Sequence, residues 1–381
     1  MSKRNVPQSR STSTRLPEPI AKRTADMDFS LFFFADSRTS GDDRYRLLLE
    51  SARFADANGF TAVWTPERHF HSFGGLYPNA AVTGAALAAI TERIGIRAGS
   101  VVAPLHHPAR IAEEWSVVDN LSGGRVGVSF ASGWHAVDFV LRPEGYEDRK
   151  KVMVEAVETV RRLWRGEPVA FVDGTGEERT VRTQPAPVQP ELPVWITSAG
   201  SPDTFRLAGR LGGGVLTHLL GQDVEALARN IRAYREELAA THGEQAPGHV
   251  ALMLHTLIGE DRARVRELVR EPFSAYLRSS IDLVVGTAGL PVGFDPSRLP
   301  ERDREFLVAR SFDRYFSTSG LFGTVADGAE MVHRLAAIGI DEIACLIDFG
   351  VPQEEVLRSL RHLDQLRRHP AAGERPAGVP A

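Results

Sequence analysis

The chain has 381 residues, of which 43% are hydrophobic and 25% charged, and its formal net charge is −4. This is the composition of a soluble globular protein of one large α/β domain or two ordinary ones, and it excludes electrostatic attraction to nucleic acid or to an anionic membrane. The single cysteine, Cys345, rules out an internal disulfide and a cysteine-built metal cluster, which fits a reducing cytoplasm.

Residues 1–26 are polar, rich in Ser, Thr and Arg, and lack the apolar run of a secretory signal. They are expected to form a disordered tail, and Glu18 with its flanking prolines interrupts any amphipathic transit helix. From residue 27 to 368 the chain alternates. Apolar, β-rich runs fall at 28–34, 61–65, 94–102, 126–130, 193–197, 213–218, 249–258 and 341–347. Apolar residues at three- and four-residue spacing predict helices over 44–58, 108–121, 149–164, 203–211, 224–240, 262–269, 326–338 and 354–366. Gly59 and Gly339 are helix stops, each followed directly by a strand. Eight β and eight α units predict an α/β fold, a (β/α)8 TIM barrel with insertions. The alternative is an open doubly wound sheet with an added domain, but no Gly-x-Gly-x-x-Gly follows the first strand.

Two insertions break the alternation. Residues 168–181 read as a β-hairpin turning at Asp173-Gly174. Residues 271–318 are too long for a simple connection and read as a partly helical lid or substrate wall. Residues 369–381 read as a second loose tail. No stretch approaches the roughly 20 apolar residues of a membrane-spanning helix.

In a barrel of this kind the chemistry sits at the C-terminal ends of the strands. The second strand is followed by Glu67, Arg68, His69, Phe70 and His71, the third by His106 and His107, and the fourth by Ser129, Ser132, Trp134, His135 and Asp138. The fifth leads into Ser198, Ala199, Gly200 and Ser201, and Pro202 then takes the first position of a helix. Free N–H groups, serine hydroxyls and the positive end of a helix dipole would meet there, as in a phosphate socket. A plain capped helix uses the same residue types. His69, His71, His218, His255 and Asp348 permit a second reading, the ligand set of a barrel metallohydrolase of the amidohydrolase kind. Against it, the His-x-His pair follows the second strand rather than the first, no lysine lies near the fourth, and His255 falls mid-strand. No metal is expected.

From about Met27 to Pro352 the chain resembles the bacterial luciferase-like family of FMN-dependent monooxygenases. The resemblance rests on Asp56-x-x-Gly59-Phe60-x-x-Val63-Trp64, Glu67-Arg68-His69-Phe70, Ala103-Pro104-x-x-His107-Pro108 and Leu121-Ser122-x-Gly124-Arg125. The segments that begin at Gly323 and Gly339 resemble its closing helix and last strand, and the order and spacing together are specific. The chain most resembles the subgroup associated with nonribosomal peptide and polyketide clusters.

The resemblance implies a (β/α)8 barrel in which Ser198, Ala199, Gly200 and Ser201 cradle the FMN phosphate and Thr204 adds a hydroxyl. It places a non-proline cis peptide at Gly99-Ser100 and a small side chain, Ser129, near the flavin ring. Reduced FMN would come from a separate reductase and react with dioxygen to a C4a-peroxyflavin. That species would then oxygenate a small molecule or a carrier-protein-tethered intermediate, by hydroxylation or a Baeyer–Villiger step. Phe32, Phe33, Phe34, Trp64, Phe70, Phe73 and Trp134 would wall the pocket against water, and His69 or His135 would act as general acid. A homodimer in the cytoplasm is expected. A deazaflavin-dependent dehydrogenase and a non-catalytic flavoprotein are alternatives on the same barrel. The main departure is Arg68, where luciferase proper carries its catalytic histidine, so light emission is not expected. Arginine cannot act as a base at neutral pH. Three roles remain open for it: holding an anionic substrate, holding a peroxide oxygen, or pairing with Glu67 or another carboxylate.

Overall fold

The computed structural model describes residues 27–34, 43–72, 74–279 and 300–369. Both expected tails lie outside these residues except for His369, and so does Phe73. Eight strands form the barrel wall: β1 (Asp28–Phe32), β2 (Ala62–Thr65), β3 (Gly95–Val102), β4 (Val126–Ala131), β7 (Val194–Ser198), β8 (Gly214–His218), β9 (Val250–Ile258) and β11 (Glu342–Leu346). Each pairs in parallel with the next, and β8–β9, β9–β11 and β11–β1 ladders complete the ring. Closure leaves no open switch point of the kind a doubly wound sheet would have. The strands read as nearly continuous apolar runs because helices cover their outer face and barrel contents their inner one.

Helices α1 (Arg46–Asn58), α2 (Ala80–Ala88), α3 (Pro108–Ser122), α4 (Arg149–Trp164), α5 (Pro202–Arg210), α6 (Val224–His242) and α7 (Arg262–Ser279) follow in chain order. After them come α8 (Glu301–Thr318), α9 (Val325–Ala337) and α10 (Gln353–Arg367). Gly59 ends α1 in the left-handed region at φ 76°, the conformation for which glycine is suited. Among the described residues no helix is long and apolar enough to cross a membrane.

Three expectations need correction. Helix α2 has no counterpart in the sequence reading. It is nearly all alanine and small residues, buried on several sides, so it lacks a polar stripe; its signal is Asn79, whose side chain caps the Ala81 and Val82 N–H groups. Helix α7 does not stop at Val269 but runs through Pro272, because Phe273, Tyr276 and Leu277 continue its apolar face into the core. Within the insertion at 271–318, read as partly helical, the end of α7 and α8 are helical, and residues 280–299 lie outside the described ones. The hairpin is β5 (Val169–Val172) with β6 (Glu178–Val181), but it does not turn on a two-residue Asp-Gly. Its connection is five residues long and organised by the Asp173 carboxylate, which accepts from the Thr175 and Glu177 N–H groups at 2.8 and 3.2 Å.

The N-terminal end of the barrel is filled by a polar layer. Glu342 has no solvent exposure. It accepts from Arg97 Nη1 at 2.6 Å, Ser30 Oγ at 2.5 Å and Trp64 Nε1 at 2.8 Å, and His249 Nε2 lies 3.5 Å away. The Arg97 guanidinium lies over the rings of Trp64 and Trp195, 5.0 and 4.7 Å from their centroids. Glycines make room for these rings: a Cβ on Gly127 would lie 2.8 Å from the Trp195 ring, and one on Gly99 2.6 Å from the Phe32 ring. Burial pushes the Glu342 carboxyl up, but Arg97, His249 and the hydrogen bonds outweigh this and hold it below the ordinary carboxylate value. Glu342→Ala would leave Arg97 without its counter-charge, so unfolding free energy should fall by about 3–5 kcal/mol. Urea unfolding followed by circular dichroism checks this; a loss under about 1 kcal/mol would mean that Arg97 finds water instead.

Candidate functional site

At the opposite, C-terminal end, three adjacent strands bring hydroxyls together. Ser100 on β3, Ser129 on β4 and Thr197 on β7 share one hydrogen-bonded group: Ser129 Oγ lies 2.7 Å from Thr197 Oγ1, and Ser100 Oγ bonds the same hydroxyl. The Gly99–Ser100 peptide is cis, and the β3–β4 register shifts between Gly99 and Val101. Beneath this group Trp64 is fully buried, with its indole nitrogen spent on Glu342 and Ser30. It is therefore floor and not pocket wall. Phe32 and Phe33 are likewise buried, whereas Phe70 and Trp134 are 61% and 59% exposed.

Ser198, Ala199, Gly200 and Ser201 form the turn between β7 and α5. Its backbone carbonyls face inward. The Ser198 oxygen accepts from Thr217 Oγ1 at 2.7 Å and the Gly200 oxygen from Asn230 Nδ2 at 3.1 Å. The Ala199 oxygen lies so near Gly221 that a Cβ there would be 2.8 Å from it. Gln222 braces the set, donating to Thr217 Oγ1 at 2.9 Å and accepting from Asn230 at 3.0 Å. Gly200 sits at φ +123°, where a side chain would be strained and its Cβ would lie 3.3 Å from Gln222. Pro202 opens α5, and the Ser201 side chain makes no capping bond, so its hydroxyl and the first-turn dipole are uncommitted. Thr204 is half-buried on that first turn. Within the turn the Gly200 N–H donates to Ser198 Oγ at 3.3 Å and that buried hydroxyl donates to the Ser201 oxygen at 3.5 Å, so the Ser201 hydroxyl and the first-turn N–H groups of α5 are the donors left for a phosphate. Sequence reasoning missed Thr217, Gly221 and Asn230, which lie 19 to 30 positions from the turn residues they meet, and Gln222, which braces two of them.

Two further clusters flank this face. Glu67 is buried; its Oε1 accepts from His69 Nε2 at 2.7 Å and His106 Nε2 at 2.5 Å, and its Oε2 accepts from the Val102 N–H at 2.7 Å. Burial pushes the Glu67 carboxyl up, but the hydrogen bonds from His106, His69 and Val102 outweigh it, and the group stays below the ordinary value. Burial likewise pulls His106 down, yet bonding to Glu67 and its charge raise it overall. Arg68, next in sequence, points elsewhere. It does not pair with Glu67. Its partner is Asp138, Nη1 to Oδ2 at 3.4 Å, and its guanidinium lies 5.1 Å from the Trp134 ring centroid. Asp138 also lies 3.3 Å from His135 Nδ1, and the His135 and His71 rings meet edge-on at 5.9 Å.

The metallohydrolase ligand set does not assemble. His69 is committed to Glu67. Asp348 accepts from the Phe34 N–H at 2.5 Å and from Tyr77 Oη at 3.1 Å. His218 accepts from the Leu220 N–H at 3.2 Å, and burial pushes it down to about 4. His255 packs among Phe273, Tyr276 and Phe349, where burial and then His218 hold it well below the ordinary imidazole value. Among the described residues the one converging trio of such ligands is Asp28, His249 and Glu342 at the far end of the barrel, already engaged with Arg97.

Residues 27–347 match the family described as luciferase-like monooxygenase, and the chain belongs to that family. It is 23% identical over 360 residues to a flavin-dependent trigonelline monooxygenase, oxygenase component, of Acinetobacter baylyi, covering 88% of this chain and 93% of the relative. It is 26% identical over 345 residues to an FMNH2-dependent dimethylsulfone monooxygenase of Pseudomonas putida, covering 87% and 92%. Among solved structures it superposes with a TM-score of 0.70 on the oxygenating constituent of 3,6-diketocamphane monooxygenase of Pseudomonas putida in complex with FMN. That match is at 18% identity and covers 89% and 97% of the two chains.

The Glu67 cluster carries a pH signature. A lowered Glu67 contributes stability above its ordinary value of 4.5 and loses it as pH falls through the lowered value. A raised His106 contributes below its ordinary value of 6.5 and loses it as pH rises through the raised value. Glu67→Gln should therefore cost most between those two values, about 1–3 kcal/mol, and less on either side. Urea titrations of both proteins at a series of pH values check this; a cost independent of pH would show that the cluster is not held by charge.

Proposed function

We propose that this member of the family is the oxygenase component of a two-component system. It takes reduced FMN from a separate reductase and oxygenates a natural-product intermediate, either a free small molecule or one tethered to a carrier protein. The turn at Ser198, Ala199, Gly200 and Ser201 supports this most: its carbonyls are turned inward, and the Ser201 hydroxyl and the start of α5 are left for a dissociable phosphate. Relatives named as an oxygenase component and as FMNH2-dependent support the reductase and the cofactor. Val82 on α2 and Val117 and Leu121 on α3 are exposed apolar side chains, which supports a homodimer.

Bound reduced FMN supplies the activation of dioxygen, for which no protein side chain is suited. The residues do the rest. Ser201 and the N–H groups of the turn hold the phosphate, with Thr204 beside them. Ser100, Ser129 and Thr197 offer hydroxyls to the polar edge of a ring, and Gly99 leaves that space to Phe32. His69 is the proton carrier: with Nε2 donated to Glu67, its tautomer is set and Nδ1 is left to take or give a proton. His135, held by Asp138, is a second such group on the Trp134 side.

Gly200→Asp sets a carboxylate against the phosphate and strains a backbone at φ +123°. FMN affinity should fall at least about 100-fold with the circular dichroism spectrum unchanged; an unaltered Kd would remove the socket. His69→Ala should raise hydrogen peroxide release per reduced flavin consumed several-fold, at similar FMN affinity. A wild-type coupling ratio would assign His69 to packing alone.

A further inference from the structure

Arg68 is the buried cation whose hydrogen bonding does not add up. Its side chain is 6% exposed, and its one acceptor among the described residues is Asp138, at a long 3.4 Å. That contact uses Nη1. Nε is buried and has no partner among the described residues. A buried guanidinium normally satisfies its donors, and leaving one unmet is costly. Asp138 is also shared with His135, so its charge is not given wholly to Arg68. The guanidinium lies against Trp134, a tryptophan 59% exposed and therefore not held there by core packing. In arginine the Nε–H and Nη2–H groups lie side by side and parallel, a fork that matches the two oxygens of a carboxylate.

We propose that the Nε–Nη2 edge of Arg68 binds a carboxylate of the substrate, with Trp134 stacking on the guanidinium as the wall of the same subsite. The substrate class is thus an organic acid with an apolar or aromatic body that lies along Trp134. A monoanion fits better than a phosphate dianion, since the Asp138 carboxylate is already in the subsite and repels a second charge more strongly than a single one. This rests on the oxygenase reading, which supplies the reason for a substrate at this end of the barrel.

The test uses matched acid and amide probes, benzoate with benzamide and 3-phenylpropionate with 3-phenylpropionamide. Binding to the full-length protein is followed by calorimetry, with and without FMN. The wild type should bind each acid at least tenfold more tightly than its amide. Arg68→Gln should erase the preference while leaving the FMN Kd unchanged. Arg68→Lys keeps the charge but not the fork and should retain only part of it; it also serves if the glutamine variant does not fold. Trp134→Ala, at an exposed position, should weaken acid and amide alike. Equal affinity for acid and amide in the wild type, no binding of either acid, or a preference that survives in Arg68→Gln or is whole in Arg68→Lys each overturns the proposal. Failure of the wild type to bind FMN would instead overturn the oxygenase reading, and the acid–amide comparison in flavin-free protein would still stand.

Discussion

A carboxylate sealed inside a closed barrel decides which end of this molecule can work. Glu342 has no contact with water, and an ionised carboxyl so placed survives only with its charge and lone pairs met. Arg97, Ser30, Trp64 and His249 meet them, and Trp64 and Trp195, packed edge-on against each other, both lie against the Arg97 guanidinium. The N-terminal end is thereby plugged. The polar groups at the other end are the Ser100–Ser129–Thr197 hydroxyls, bonded to one another, and the β7–α5 turn. Gly99 and Gly127 belong to the same constraint, since Trp64 and Trp195, the rings against Arg97, stand 3.2 and 2.8 Å from where their Cβ atoms would lie.

Much of this was legible in the sequence, and for a uniform reason: the barrel is a repetition of local signals. A strand buried on both faces is a short apolar run wherever it stands, and Gly59 ends α1 by a backbone preference that needs no tertiary partner. What escaped depends on context. Helix α2 packs on several sides, so the polar stripe that marks a surface helix is missing. The expected helix stops at Val269, where the local apolar spacing ends, whereas Phe273 and Tyr276 packing around His255 carries α7 on through Pro272. The Asp173-Gly174 pair suggested a two-residue turn, but the Asp173 carboxylate organises a longer one.

The site divides in the same way. Ser198, Ala199, Gly200 and Ser201 were visible because a strand, a small turn and Pro at a helix start are contiguous in sequence. Thr217, Gln222 and Asn230 were not, although they are what turns the carbonyls inward. Spacing within a motif also could not tell that the adjacent Glu67 and Arg68 belong to different clusters. Consecutive side chains on an extended segment point to opposite sides, so Glu67 reaches His69 and His106, while Arg68 reaches Asp138 and Trp134.

That separation has a chemical consequence. An arginine stays protonated across the working pH range and cannot carry a proton to or from a reacting oxygen. Placing a fixed cation at position 68 therefore moves any acid–base duty to a neighbour, and His69 is the neighbour with a carboxylate behind it. The two tasks make opposite demands. Proton transfer needs an imidazole whose charge can change, which Glu67 supports from one side. Anion binding needs a charge that cannot change, with a flat surface to stack on, which Arg68 and Trp134 provide from the other. One motif, Glu67-Arg68-His69, thus brings a titratable and a permanent positive charge to the same rim without letting them share a counter-ion.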